Sequence, residues 1–283
     1  MENSISRSKD LRMRFVKNKM AVLGLLILAL LVIMAIFAPV IATHVPEKQD
    51  LANRLALPSA AHFFGTDNFG RDIFSNVVYG ARISLFIGLA ATTISVVIGT
   101  IIGAVAGFFG GQVDNVIMRI VDVFLSIPSL ILAIAISAVL GNGIRNLILA
   151  VSLSGITGYA RIVRASVLSV KEQEYVEAAQ IGGAGDLRLI FRHILPNCTG
   201  PIIVQATLGV GTAILQAASL SFIGLGVQPP TPEWGGMLSA GRDYIRDFPH
   251  LTLFPGLAIA LTIFSLNLFG DGLRDTLDPK ERS

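Results

Sequence analysis

The chain has 283 residues, of which 53% are hydrophobic and only 14% are charged, against roughly 25% charge in an ordinary soluble domain; a water-soluble globule of this size cannot be coated with so little charge. The formal charge of +3 and the pI of about 9.2 are basic, but the basic residues flank apolar runs, which is a membrane pattern rather than a nucleic-acid footprint. The single cysteine, Cys198, excludes an internal disulfide and a cysteine metal cluster, and the histidines, His44, His62, His193 and His250, show no metal-ligand spacing.

Stretches free of Asp, Glu, Lys and Arg mark the expected spans. The first, Met20 to Pro46, begins "MAVLGLLILALLVIMAIFAPVIA". It exceeds the roughly 20 residues a helix needs to cross the hydrocarbon. It is also too long for a signal-peptide core and no A-x-A pattern closes it, so a retained anchor is expected. The second stretch is Ile83 to Val113 and the third Val123 to Ile144. The fourth, Asn146 to Ala160, is short and borrows Arg145 and Arg161 as snorkelling ends. The fifth lies within His193 to Pro232, ending near Gly226 before the turn "VQPPTPEW", and the sixth is Phe248 to Gly270. The expected fold class is an all-α membrane protein with about six transmembrane helices.

Lys and Arg placement sets the expected orientation. With the N-terminus inside, segments 1–19, 109–122, 161–197 and 271–283 are cytoplasmic and hold 15 of the 22 Lys and Arg residues. Both termini are therefore expected in the cytoplasm.

Within the second stretch Gly99, Gly103, Gly107 and Gly111 recur every four residues. On a helix they form one smooth stripe for close approach by another helix, of this chain or of a partner. The span interiors hold no ionisable Asp, Glu, Lys or Arg, which counts against a proton- or sodium-coupled carrier, although backbone carbonyls can also bind sodium. Thr157-Gly158-Tyr159 lacks the rest of a potassium filter. No G-x-x-x-x-G-K-[ST] loop occurs, and no Gly is followed by Lys. Energy for uphill transport must enter through another protein.

The polar segment "EYVEAAQIGGAG", Glu174 to Gly185, falls between two apolar stretches. A helix is expected over Ser166 to Ile181, a bend at Gly182-Gly183 and a second short helix, "LRLIFRHIL", stopped by Pro196. The product is a cytoplasmic elbow. Ala178 and Ala179 leave it a shallow surface, and Tyr175 and Glu177 lie beside them. Three further features carry two readings each. "GTDNFGRD", with Gly65, Thr66, Asp67, Gly70, Arg71 and Asp72, is either a contact for a solute-binding protein or a self-satisfied ion-pair turn. Arg119 and Asp122, with Asp114 nearby, stand at i,i+3 and can pair on a helix, or touch partner machinery. Trp234 is either an interfacial anchor, the favoured reading, or an aromatic clamp for a substrate.

Glu177-Ala178-Ala179, then three residues, Gly183, and eleven more before Leu195-Pro196 resemble the cytoplasmic loop of bacterial ABC importer permeases. The usual Ile two residues before Leu-Pro is replaced by His193, with Ile194 beside it. "RMRFVKNKMAVLG", "HFFGTDNFGRDIFSNVVYGARISL", "FGGQVDNVIMRIVDVFLSIPSL", "LSFIGLGVQPPTPEWGGML" and "NLFGDGLRDTLDP" are similar to the C-type subunits of dipeptide and oligopeptide permeases. This resemblance covers nearly the whole chain. It implies a type I importer permease fold: an N-terminal tail, anchor and external loop at 1–82, a permease core at 83–273 and a cytoplasmic tail at 274–283. It implies coupling through Tyr175, Glu177, Ala178, Ala179, Gly182, Gly183, Leu195 and Pro196. It also implies a second permease, two ATP-binding subunits and an extracytoplasmic solute-binding protein in a bacterial inner membrane. No catalytic residue, metal or cofactor is expected in this chain, ATP and Mg belonging to the partners. Short peptides are the expected substrate, with nickel or metal chelates as the alternative. A self-contained carrier or channel, or a membrane scaffold, is the reading from a different class.

Overall fold

A computed structural model of the chain describes residue 13 and residues 15–277. The described residues are built from helices, with no strand beyond an isolated bridge between Thr66 and Asp72. The helices used below are α1 (Lys19–Ile36), α2 (Ile73–Phe109), α3 (Gly111–Leu125), α4 (Ser129–Leu140), α5 (Ile144–Lys171), α6 (Glu174–Ile181), α7 (Leu195–Phe222), α8 (Trp234–Gly241) and α9 (His250–Leu277). Helices α1, α2, α5, α7 (with the short turns before it) and α9 are each long and apolar enough to cross a membrane.

Asn18 starts α1 by accepting the Ala21 N–H at 3.1 Å. The helix spans 18 residues and gives way at Phe37 to a four-residue turn with Pro39 near its start. It therefore ends before the expected limit at Pro46. Gly24 lets α1 lie directly on α9: a Cβ there would meet Leu268 Cβ at 2.7 Å and the Ser265 carbonyl at 2.8 Å.

Helix α2 is longer than its charge-free stretch. It starts at Ile73, capped by Asp72, and runs 37 residues, about 55 Å. The domain boundary expected at 82/83 falls inside it. Gly99, Gly103 and Gly107 face α5, where added Cβ atoms would meet Tyr159 Cβ at 2.5 Å, the Ala160 carbonyl at 2.4 Å and Val167 Cβ at 2.9 Å. Gly111 departs from the expected stripe. The chain turns at Gly110, so Gly111 opens α3 with nothing within 4 Å of it.

The third expected span, Val123 to Ile144, is broken. Helices α3 and α4 meet at 85°. Pro128 has no N–H to continue the α3 ladder, and Gly141, at φ +79°, closes α4 after 12 residues. The fourth span is longer than expected: α5 passes straight through Arg161 and Arg164 to Lys171. Both arginines stay on the helix because each has a carboxylate partner on α3. Arg161 pairs with Asp122 at 2.7 Å and Arg164 with Asp114 at 2.5 Å. The expected Arg119–Asp122 pair is thus replaced by Arg161–Asp122, and Arg119 has no ion pair among the described residues.

Trp234 is neither anchor nor clamp. It is fully buried, packed with Val77, Ala218 and Leu251, and its Nε1 donates to the Val77 carbonyl at 2.9 Å. The Glu233 carboxylate before it caps α8, accepting the N–H groups of Gly235 at 2.9 Å and Gly236 at 2.8 Å.

Candidate functional site

One buried side chain builds the elbow between α5 and α7. At the end of α5 the Lys171 ammonium donates to the Phe108 carbonyl at 2.5 Å, tying the ends of α5 and α2 together. The chain then bends at Glu172-Gln173, so the helix expected over Ser166 to Ile181 is two helices. The bend lets Val176, only 3% exposed, enter a cluster with Ala104 of α2, Val163 and Val167 of α5, and Leu189, Ile190 and Ile194. With Val176 inward, helical geometry turns Tyr175, Glu177 and Ala178 outward, and all three are exposed. Ala179 is half-buried against the cluster.

Helix α6 closes in a Schellman turn. The Gly183 N–H donates to the Gln180 carbonyl at 3.0 Å and the Ala184 N–H to Ala179 at 3.1 Å. Gly183 sits at φ +82°, the left-handed region that a side chain would strain. Gly182 is the C-cap at ordinary φ. Beyond the turn, Asp186–Arg188 and a π-helical stretch, Leu189–Ile194, lead directly into α7. The expected stop at Pro196 does not occur. Proline is tolerated in a first helical turn, and Pro196 lies there, exposed, with Leu195 half-buried beside it.

Sequence patterning also missed the elbow's apolar rim. Ile181 is 81% exposed, and Leu187 and Phe191 are similarly bare. Large exposed apolar side chains of this kind are available to a partner or to lipid. The signal for Leu187 and Phe191 was present in "LRLIFRHIL", whose apolar residues exceed what one buried face can use.

At the other end of α2 the "GTDNFGRD" segment is held by its own ion pair and by bonds to its neighbours, with Asn68 Oδ1 left buried without a partner. Arg71 Nε donates to Asp67 Oδ2 at 2.6 Å, and Asp67 Oδ1 accepts the Phe69 and Arg71 N–H groups at 2.8 and 2.9 Å. Thr66 Oγ1 donates to the Asn53 carbonyl and accepts the Ala56 N–H. Asp72 Oδ2 accepts the Ser75 N–H at 2.8 Å, capping α2. Gly70, at φ +73°, leaves room for the Asp50 carbonyl, which would lie 1.8 Å from a Cβ. Gly65 also has positive φ, beside the Ala56 carbonyl and His250. Asn53 donates to Asp50 at 2.9 Å and holds that carboxyl below its ordinary value.

Between the two ends lies a polar hollow of about 140 Å³, walled by α2, α5 and α7. Its lining includes Thr92, Ser95, Tyr159, Gln205, Thr212 and Gln216, all uncharged. Thr92 Oγ1 is buried with no hydrogen-bond partner, while Gln216 Nε2 donates to Ser129 of α4 at 2.9 Å. Tyr159 apart, these residues escaped sequence reading because they are scattered over three helices; only the fold gathers them.

The sequence model described as "Binding-protein-dependent transport system inner membrane component" matches residues 99–283, and that described as "N-terminal TM domain of oligopeptide transport permease C" matches residues 6–58. The chain is 49% identical over 267 residues to a dipeptide transport system permease protein of Alkalihalophilus pseudofirmus, covering 94% of this chain and 88% of the relative. It is 46% identical over 281 residues to an oligopeptide transport system permease protein of Bacillus subtilis, covering 99% and 92%. An inward-facing methionine ABC transporter chain superposes with a TM-score of 0.60 at 17% identity, covering 73% of this chain and 98% of that one.

Proposed function

The chain belongs to the binding-protein-dependent transport system inner membrane components, and from that membership we propose that it forms half of the translocation pathway of an ATP-driven importer of short peptides. Members of this family are multi-pass membrane subunits whose ATPase is a separate protein and which work with an extracytoplasmic solute-binding protein. A self-contained carrier, channel or scaffold is set aside by that membership. Nickel is disfavoured as cargo, because the relatives at 46 to 49% identity are named for dipeptide, oligopeptide and glutathione transport.

In the proposed assembly this permease pairs with a homologous second permease and two ATP-binding subunits. The elbow, with Tyr175, Glu177 and Ala178 outward and Gly183 setting its bend, seats in a groove of one ATP-binding subunit on the cytoplasmic side. Both termini then face the cytoplasm, and the "GTDNFGRD" turn faces the binding protein. This chain hydrolyses nothing itself.

The observation that carries the reading is the elbow's attachment. The two helices it joins, α5 and α7, are also two of the three walls of the polar hollow. A force applied at α6 therefore reaches the hollow through the bend at Glu172-Gln173 into α5 and through the turn at Gly182-Gly183 into α7, and Lys171 and Val176 connect it to the third wall, α2. Neutral hydrogen-bonding side chains in the hollow suit a solute rich in amide groups, since they satisfy polar groups without holding a charge in the membrane. The test is reconstitution in proteoliposomes with the partner subunits and binding protein. Uptake of labelled dipeptide or oligopeptide driven by ATP supports the reading, and uptake of neither overturns it.

A further inference from the structure

Two histidines eighteen residues apart in sequence converge on one carboxylate oxygen. His62 Nδ1 lies 2.9 Å from Asp72 Oδ1, and His44 Nδ1 lies 3.7 Å from the same atom. The imidazole rings stack at 4.7 Å between centroids, 28° apart. All three candidate ligand atoms fall within 4.8 Å of one another. Sequence spacing shows nothing here, because the three residues come from the segment after α1, the following loop and the cap of α2.

We infer that His44, His62 and Asp72 form a binding site for one transition-metal dication of the zinc class. Imidazole nitrogen and carboxylate oxygen are ordinary ligands for such an ion, at about 2.0 to 2.2 Å. Tetrahedral geometry at those lengths places neighbouring ligands roughly 3.4 Å apart. The two separations, 2.9 and 3.7 Å, bracket that value, so small side-chain shifts complete the site. Asp72 can serve both roles at once. Its Oδ2 stays with Ser75 at the start of α2, and its Oδ1 is the atom both histidines approach.

The donor set selects the ion. Calcium and magnesium ask for about six or more oxygen ligands, whereas this cluster supplies two nitrogens and one available oxygen. The Asp72 side chain is 1% exposed and that of His44 40%. The carboxylate is thus held inside while His44 leaves an open side for a water as fourth ligand. Metal binding takes the place of the proton between His62 Nδ1 and Asp72 Oδ1, which leaves to solvent.

The site is separate from the polar hollow. Thr92 of the polar hollow lies 20 residues further along α2 than Asp72, about 30 Å at helical rise. A bound ion clips together three segments at the end of the bundle opposite the elbow, so it acts on the α1–α2 connection.

The test uses the untagged full chain in lipid nanodiscs, titrated with Zn²⁺ against a chromophoric chelator, with Co²⁺ as a spectroscopic probe. One equivalent binds, with Co²⁺ bands of mixed nitrogen and oxygen ligation. His44→Ala, an exposed position, and His62→Gln, which keeps a donor to Asp72, each lower Zn²⁺ affinity about tenfold or more, while His193→Ala leaves it unchanged. Zn²⁺ raises the melting temperature of the parent and not of His44→Ala, each compared with its own metal-free melting. Absence of saturable binding at one equivalent, or parent-like affinity in His44→Ala, overturns the site.

Discussion

Arg164 of α5 holds Asp114 of α3 through two hydrogen bonds, Nε to Oδ1 and Nη2 to Oδ2, each 2.5 Å long. This two-pronged geometry gives direction as well as attraction. It fixes the first turn of α3 to α5, at the end of α3 opposite its 85° break with α4. Arg161 and Asp122 repeat the link near the other end of α3, with both side chains more than half exposed.

Removing one partner of the inner pair leaves a charge without its mate. Asp114→Ala or Arg164→Ala lowers the melting temperature, and a double-mutant cycle gives a coupling of about 2 kcal/mol. The same cycle on Asp122 and Arg161 gives less than about 1 kcal/mol, because that pair is joined by a single contact between more exposed side chains. Equal coupling at the two pairs contradicts the ranking.

The spacing of α2 and α5 depends on missing side chains. Gly103→Leu drives its Cβ toward the Ala160 carbonyl, 2.4 Å away, and yields a chain that fails to extract as a monodisperse species. Gly158→Ala on α5, with nothing within 4 Å, melts at or above the parent temperature, since alanine favours helix by about 1 kcal/mol. Size-exclusion profiles and melting curves of the two variants check this.

Much of this arrangement is legible in sequence. The spans are readable because hydrocarbon tolerates few charges, so charge-free runs coincide with membrane depth. The bend at Gly182-Gly183 is readable because a left-handed residue at a helix end favours glycine. Other features depend on neighbours distant in the chain. Arg161 and Arg164 look like a span's end until α3 supplies their carboxylates. Trp234 looks interfacial until Val77 receives its N–H. Pro196 looks like a stop until the π-helical stretch before it places it in a first turn. The convergence of His44, His62 and Asp72 has no sequence period to reveal it.

Glu233 gives a pH signature. Burial raises its carboxyl above the ordinary 4.5, opposed by the Gly235 and Gly236 N–H groups. A carboxyl raised on folding binds more protons in the native state, so it adds stability as pH falls through the native value, complete at about the unfolded 4.5. Relative to Glu233→Gln, the parent gains stability on acidification over that window. Melting curves of both proteins across pH check it, and a constant difference contradicts it.

The hollow contains one hydroxyl with no partner. Thr92→Val removes the unpaired Thr92 Oγ1 and stabilises the chain by about 1 kcal/mol, while uptake by the reconstituted importer falls if solute uses that group. Chemical denaturation reads the first effect. A loss of stability shows that the hydroxyl is satisfied in the native protein.

The elbow's surface and its anchor separate cleanly. Glu177→Lys with Gly183→Pro changes the exposed face and the bend, and abolishes uptake while the protein remains in the membrane at parent abundance. Val176→Asp puts a carboxylate into the cluster of Val163, Val167 and Ile194 and lowers abundance as well, by roughly 3 kcal/mol or more of lost stability. Uptake at the parent rate in the double variant sinks the docking role.

Sidedness of the elbow is the most direct measurement. A cysteine at exposed Gly185, with buried Cys198 replaced by alanine, is challenged with a membrane-impermeant maleimide. Protection in intact cells and labelling after permeabilisation place the elbow in the cytoplasm, where ATP-binding subunits can reach it; labelling in intact cells puts it on the wrong side of the membrane for any such engine.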